Sequence, residues 1–302
     1  MKLDSLIDKA TQFKNITVAI AAAEDEDVLE AVAEALKRNL SHFLLFGDKE
    51  QILDIINTHY PEMAKDNRLE IIHAPTSQLA AERAVKAVHL NEADVLMKGN
   101  VPTAILLKAI LNKEIGLRTG NVLSHVAVFE IPDFDRFILI TDAAMNLYPD
   151  LQQKEQIIRN SIEIAKSVGI DMPLVAPIAA VEVVNPSMQA TMDAAILTQM
   201  NKRGQIKNCI IDGPLGLDNA VSSLAAEHKG IKSEVAGRAD ILLVPTIEVG
   251  NTLYKSLTYF AKAKVGSVIA GAKAPIVLTS RADTAESKLY SLALAICSVN
   301  TN

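Results

Sequence analysis

Three segments of the chain set polar side chains directly after an apolar run, where backbone and side chain can serve a ligand together. The first is Val95-Leu96-Met97-Lys98-Gly99-Asn100-Val101-Pro102-Thr103. Gly99 permits a tight turn, and Lys98, Asn100 and Thr103 then bring an ammonium, an amide and a hydroxyl to a helix start, where open N–H groups attract anions. The glycine spacing of a P-loop is missing. From Lys98 to Arg118 the chain carries Lys98, Lys108, Lys113 and Arg118 against Glu114 alone, a local excess of positive charge in a chain whose formal net charge is −6. A solvated helix face suffices for Lys113; Lys98 and Lys108 remain candidates for anion binding. In the second segment an apolar run reaches Thr279-Ser280-Arg281, and Ala282-Asp283-Thr284-Ala285-Glu286 follows. A guanidinium beside a hydroxyl at a strand's carboxyl end suits a phosphate gripped in fixed orientation. Asp283 and Glu286 have capping-box spacing, so starting the last helix is their simplest reading.

The third segment runs from Ala239 to Lys255. A buried strand leads to a loop with Gly250-Asn251 and then to a helix on which Asn251 and Lys255, four apart, share a face. An amide and an ammonium aimed the same way suit a carbonyl or phosphoryl oxygen. Tyr254 and Lys255 are adjacent and cannot face one site, which speaks against dehydrogenase chemistry of the Tyr-Lys kind. Asp212-Gly213-Pro214 is either a binding loop or a turn. The six histidines lack a zinc-ligand spacing, and no GxSxG elbow or early GxGxxG is present. Metal, a hydrolase triad and a dinucleotide fold of the GxGxxG kind are therefore not expected. Cys209 and Cys297 lie inside apolar runs, as core residues of a protein in the reducing cytoplasm do.

These segments need a scaffold. Runs rich in Val, Ile and Leu predict strands at 16–22, 43–46, 69–73, 94–97, 126–129, 137–140, 174–178, 209–211, 241–244 and 276–279. Helical spacing fills the intervals, with start signals at Asp25 and Asp27 and at Thr76 or Ser77 and a last helix from Thr284 to Ser298. The alternation predicts an α/β fold with mostly parallel sheets and ligands at the carboxyl ends of strands. At 302 residues, two domains fit. The break at Glu130-Ile131-Pro132-Asp133, with a C-terminus that returns to the first domain, predicts 1–132 plus 285–302 as one domain and 133–284 as the other. An acidic chain with 4% aromatic residues is a poor nucleic-acid binder. Its longest charge-free stretch, 289–302, is shorter than the roughly 20 residues of a membrane-spanning helix.

Thr141-Asp142 with Asn146 and Pro149, Lys232-Ser233 with Val235-Ala236-Gly237 and Ala239-Asp240, Pro245 with Gly250-Asn251 and Lys255, and Thr279-Ser280-Arg281 occur in this order. Together they resemble the phosphate acetyl/butyryl transferase family, from about residue 90 to the end. Met97-Lys98-Gly99-Asn100 and the run from Ser280 to Lys288 are closer to its butyryl branch. The resemblance implies reversible transfer of a short acyl group, butyryl foremost, between coenzyme A and inorganic phosphate. It also implies a two-domain fold like that of isocitrate and isopropylmalate dehydrogenases, a site in the interdomain cleft, and a homodimer or higher homo-oligomer. No cofactor is permanently bound; coenzyme A is substrate and product. Arg281 matches the family's phosphate-binding arginine and Ser280 its partner. The arginine expected on the first helix of the acetyl branch falls on Lys108. The aspartate expected to deprotonate the thiol falls near Ser287, which leaves Glu286 or Asp283 for that role, or no base at all in the direction in which the thiolate leaves. Lys98, Gly99, Asn100, Thr103, Lys108, Gly250, Asn251 and Lys255 are then the phosphate and acyl candidates, and Asp212, Gly213 and Asp283 those for coenzyme A. The alternatives are a phosphate acetyltransferase or an inactive module that senses coenzyme A or acyl phosphate. A decarboxylating dehydrogenase of the same fold lacks its metal-binding aspartate cluster here.

Overall fold

The computed structural model describes residues 2–279 and 283–299. The elements, in chain order, are α1 (Leu3–Ala10), β1 (Thr17–Ala21), α2 (Glu26–Lys37), β2 (His42–Gly47), α3 (Lys49–His59), β3 (Leu69–His73), α4 (Ser77–His89), β4 (Val95–Lys98) and α5 (Thr103–Ile110). They continue with β5 (Ser124–Glu130), β6 (Ile138–Thr141), α6 (Leu151–Ser167), β7 (Leu174–Pro177), α7 (Gln189–Lys202), β8 (Ile210–Ile211), α8 (Leu217–Val221) and α9 (Ser223–His228). The last are β9 (Ile241–Leu243), α10 (Ile247–Tyr259), β10 (Lys264–Ala270), β11 (Ile276–Val277) and α11 (Ala285–Ser298).

The chain forms two compact units. The terminal unit holds Leu3–Asn121 and the described residues of 266–299, and the central unit holds Val122–Val265. The Pro132 break and the return of the last helix would place these divisions at 132/133 and 284/285. Strand pairing accounts for the difference. β5 is antiparallel to β6 and so belongs with the central unit, whereas β11 runs parallel to β4 and brings the segment before α11 into the terminal unit.

In the terminal unit the strand order is β3-β2-β1-β4-β11-β10. The first five are parallel, and β10 runs antiparallel to β11. The chain moves outward from β1 through β2 to β3 and then crosses back to β4 on the other side of β1. The carboxyl ends of β1 and β4 thus flank a topological switch point, where open α/β sheets bind ligands. The central unit has the order β5-β6-β9-β7-β8, parallel from β6 onward. Its core joins strand residues such as Phe129, Ile140, Ala176 and Leu242 with Val235, Ala239 and Tyr254.

The start signals work as capping chemistry demands. Asp25 accepts from Val28 N at 3.0 Å and Thr76 from Leu79 N at 3.2 Å. Three local expectations are corrected. β10 has no counterpart among the predicted strands, because Lys264, Gly266 and Ser267 break the apolar run of KVGSVIA. Gly266 is needed there, since a Cβ would come within 2.9 Å of the Tyr290 backbone of α11. Gly250-Asn251 lies inside α10 rather than in a loop before it, because the helix starts at Ile247 with Thr246 as N-cap. The N-cap of α11 is Thr284, whose hydroxyl accepts from Ser287 N at 3.2 Å, so Asp283 is not the cap.

Candidate active site

The β4 end is built by its neighbour. Gly99 N donates to Ala21 O at 2.8 Å and Asn100 N to Ala22 O at 2.6 Å. A Cβ on Gly99 would lie 2.0 Å from Ala22 O, so only glycine lets the two strand ends meet this closely. Ala22 itself has φ 57°, a left-handed backbone costing about 1 kcal/mol for an alanine. This strain sits at the switch point.

Lys98 is 6% exposed, and its Nζ donates to Gly99 O at 3.2 Å. Asn100 is exposed. Pro102 caps α5 without any side-chain bond, which leaves the N–H groups at Thr103 available to an anion. In register, Met97 pairs with Val277, and Leu278 and the buried Thr279 follow that pair in the chain. Ser280 and Arg281, the residues expected to hold phosphate, lie outside the described residues. Lys108 is exposed in the last turn of α5, roughly 7.5 Å along the helix axis from Thr103 at 1.5 Å per residue.

Glu24, at the end of β1, was not singled out by sequence. Its Oε2 is buried without a hydrogen-bond partner among the described residues and lies where a Cβ on Gly47 would be. Burial pushes its carboxyl above the usual range, and the neighbouring Asp48 and Asp25 push the same way. Glu286 instead bonds within α11: its Oε1 accepts from the Tyr290 hydroxyl at 3.0 Å, and that hydroxyl also lies 2.9 Å from Asp4 Oδ1.

The central unit has its own strand-end set. Asp142, 2% exposed beyond β6, accepts from Ala144 N and Met145 N at 2.9 Å each and from Asn146 N and Nδ2 at 3.2 and 2.6 Å. Asn146 Nδ2 also donates to Leu123 O at 2.8 Å. Gly250 permits the approach of α10, since a Cβ would lie 2.6 Å from Asp142 O. On α10 Asn251 is exposed, and Lys255 Nζ lies 5.5 Å from the centre of the Tyr254 ring. Tyr254 is a core residue, edge-on to Phe129 at 5.2 Å. Asp212 and Gly213 follow β8, at the sheet's far side from β6, and Gly213 packs on Pro177. Tyr148, exposed on the 142–150 loop, donates to Glu248 at 2.9 Å, and this bond raises the phenol. Glu248 is held below the usual carboxylate range by its own backbone N–H first, then by Thr246 and Tyr148.

A family model described as phosphate acetyl/butaryl transferase matches residues 51–296. The chain belongs to this family. Relatives in the phosphate acetyl/butyryl transferase family include the probable phosphate butyryltransferase of Bacillus subtilis (strain 168), 59% identical over 98% of both chains. The phosphate acetyltransferase of Thermotoga maritima is 48% identical over 98% of this chain and 99% of its own. Among solved structures, a branched-chain phosphotransacylase from Enterococcus faecalis V583 superposes with a TM-score of 0.82 at 37% identity, covering 94% of this chain and 99% of that one.

Much of the sequence signature of this transferase family is scaffolding. Ser233 Oγ accepts from Val235 N and Ala236 N. Gly237 has φ +76°, and a Cβ there would lie 2.5 Å from Ser223 Cα. Arg136 donates to Gly237 O and Ala239 O, while Asp240 accepts from Leu174 N at 2.8 Å. Lys98, Gly99, Asn100 and Thr103 are brought together; Asn251 and Lys255 share a helix in the other unit. Among the described residues no cluster of His, Cys, Asp and Glu could hold a metal, and no helix is long and apolar enough to cross a membrane.

Proposed function

We propose that the chain transfers a short acyl group, butyryl foremost, between coenzyme A and inorganic phosphate. The observation that carries this is the family match across 51–296, and it is supported by the buried Lys98 at a strand end stitched to β1 through Gly99. In the direction of acyl phosphate, a phosphate oxygen attacks the thioester carbonyl. A carbon–oxygen bond forms, the carbon–sulfur bond breaks, and the thiolate leaves and takes up a proton at sulfur. Phosphate is itself the nucleophile, so no covalent acyl-enzyme is needed. Burial pushes the thiol of Cys209 to about 11 and that of Cys297 to about 12, so neither is a nucleophile at neutral pH.

The work left to the chain is positioning and charge stabilisation. Lys98 and the α5 start supply positive potential for phosphate, together with the guanidinium of Arg281, while Ser280 donates to the reacting group. Lys255 and Asn251 are donors for the carbonyl oxygen as it gains charge, a contribution of about 3 kcal/mol per donor. Asp212, Gly213 and Asp283 serve coenzyme A. A base is required only when free thiol attacks, and Glu286 supplies it only if released from Tyr290. We further propose a homodimer in the cytoplasm. The family resemblance supports the homodimer, and two free cysteines suit a reducing compartment.

Initial rates with acetyl- to hexanoyl-CoA test the reading. Each methylene alters kcat/KM by roughly 10–200-fold at most, with the optimum at four carbons. An optimum at acetyl-CoA would make the protein a phosphate acetyltransferase. Coenzyme A binding without turnover would make it a sensing module.

A further inference from the structure

Asp142 is a buried carboxylate held by N–H groups rather than by a cation. Its side chain is 2% exposed, and its partners among the described residues are the backbone N–H groups of Ala144, Met145 and Asn146 and the Asn146 side-chain amide. Taking a charge out of water is costly, and four donors aimed at one carboxylate offset that cost only while the loop keeps this conformation. Asn146 fastens the same loop to the chain before β5, since its Nδ2 also donates to Leu123 O at 2.8 Å.

The loop fixed in this way is what α10 starts against. Val244 N, just beyond β9, donates to Thr141 O at 2.8 Å, and Ile247 N, the first of α10, donates to Leu147 O at 3.0 Å. One turn on, Gly250 lies against the loop itself: a Cβ there would stand 2.6 Å from Asp142 O and 2.9 Å from Ala143 Cα. Asn251 follows Gly250 directly, and Lys255 comes about 6 Å further along the helix axis. A last contact, from the Tyr148 hydroxyl to Glu248, is exposed, so water replaces it at little cost. We propose that Asp142 is a positioning residue for the acyl carbonyl: by fixing the 142–147 loop it sets where α10 presents Asn251 and Lys255. It acts through the loop backbone and does not touch substrate. This rests on the role proposed above for those two donors in acyl transfer.

The test uses the full chain with butyryl-CoA and inorganic phosphate, each varied in turn, and urea unfolding beside the kinetics. Asp142→Ala lowers kcat tenfold or more and leaves the KM for phosphate within twofold, because the displaced donors act on the carbonyl only as it gains charge. Asp142→Asn keeps an oxygen for Ala144 N and Met145 N and loses less. Tyr148→Phe stays within twofold throughout. In a chain already carrying Asn251→Ala and Lys255→Met, Asp142→Ala adds less than threefold, because it acts through those two residues. A smaller fall in kcat for Asp142→Ala overturns the proposal, whatever the change in urea midpoint. So do a loss carried by the phosphate KM and a loss of threefold or more in the chain without Asn251 and Lys255. If Asp142→Ala does not fold, Gly250→Ala decides, since its Cβ pushes α10 off an intact loop: a tenfold fall in kcat with the phosphate KM unchanged supports the role, and a smaller fall overturns it. A wild-type chain without phosphate-dependent release of coenzyme A would defeat the functional reading and this proposal with it. A wild-type chain that turns over no faster than Asp142→Ala defeats the proposal alone.

Discussion

Replacing Gly99 by alanine perturbs the β4 end at a single point. The added Cβ would stand 2.0 Å from Ala22 O and 2.8 Å from Ala21 O, both backbone atoms that cannot swing aside. An ordinary contact is about 3.5 Å, so the strand ends must part by roughly 1.5 Å. Parting them breaks the bonds from Gly99 N to Ala21 O and from Asn100 N to Ala22 O. At about 1 kcal/mol each, and more where a buried group is left unpaired, the loss comes to about 2–3 kcal/mol. Lys98 and Asn100 move with the loop, and a displacement near 1 Å costs about 100-fold in rate. Phosphate-dependent release of coenzyme A from butyryl-CoA, followed alongside urea unfolding, reads both effects. A Gly99→Ala protein within threefold of wild-type rate and within about 0.5 kcal/mol of its stability would show that this turn does not require glycine.

The buried pair Lys154–Asp193, 2.6 Å apart and 6% exposed on each side, should behave as a unit. Either Lys154→Met or Asp193→Leu costs about 3–5 kcal/mol by stranding a charge, and the double variant is more stable than either single one; denaturant midpoints check this. Both thiols should resist a thiol reagent in the folded protein at pH 8, with two equivalents reacting only after unfolding, since burial holds them at about 11 and about 12. Glu24 has a folded pKa above its unfolded value, so the folded state binds its proton more tightly and loses stability as pH rises through that pKa. Glu24→Gln should therefore stabilise the protein at pH 7.5 relative to wild type and lose that advantage at pH 4; an equal effect at both pH values would show that the carboxyl is not perturbed.

What sequence could and could not reveal follows from the range of the interactions. The alternation of elements was legible because apolar runs and caps such as Asp25 and Thr76 are local signals. The Lys98-Gly99-Asn100 turn was legible for the same reason, although its need for glycine comes from Ala22, 77 residues earlier in the chain. β10 was not legible, because its strand character is imposed by pairing with β11 while Gly266 makes room for α11. Lys288 reads as a surface cation on a helix start until the fold buries it. Asp142 is similar: its four bonds within the 142–146 loop make it an anchor, which residue type alone does not distinguish from an acid available to substrate.

In the proposed reaction phosphate itself accepts the acyl group. Incubating the protein with butyryl-CoA and phosphate, and measuring free thiol and acyl phosphate in the same samples, tests it most directly. The two products should form in equal amounts, neither without phosphate, and butyryl-CoA should be regenerated when acyl phosphate and coenzyme A are supplied. Thiol released at the same rate in the absence of phosphate, with no acyl phosphate formed, would contradict it.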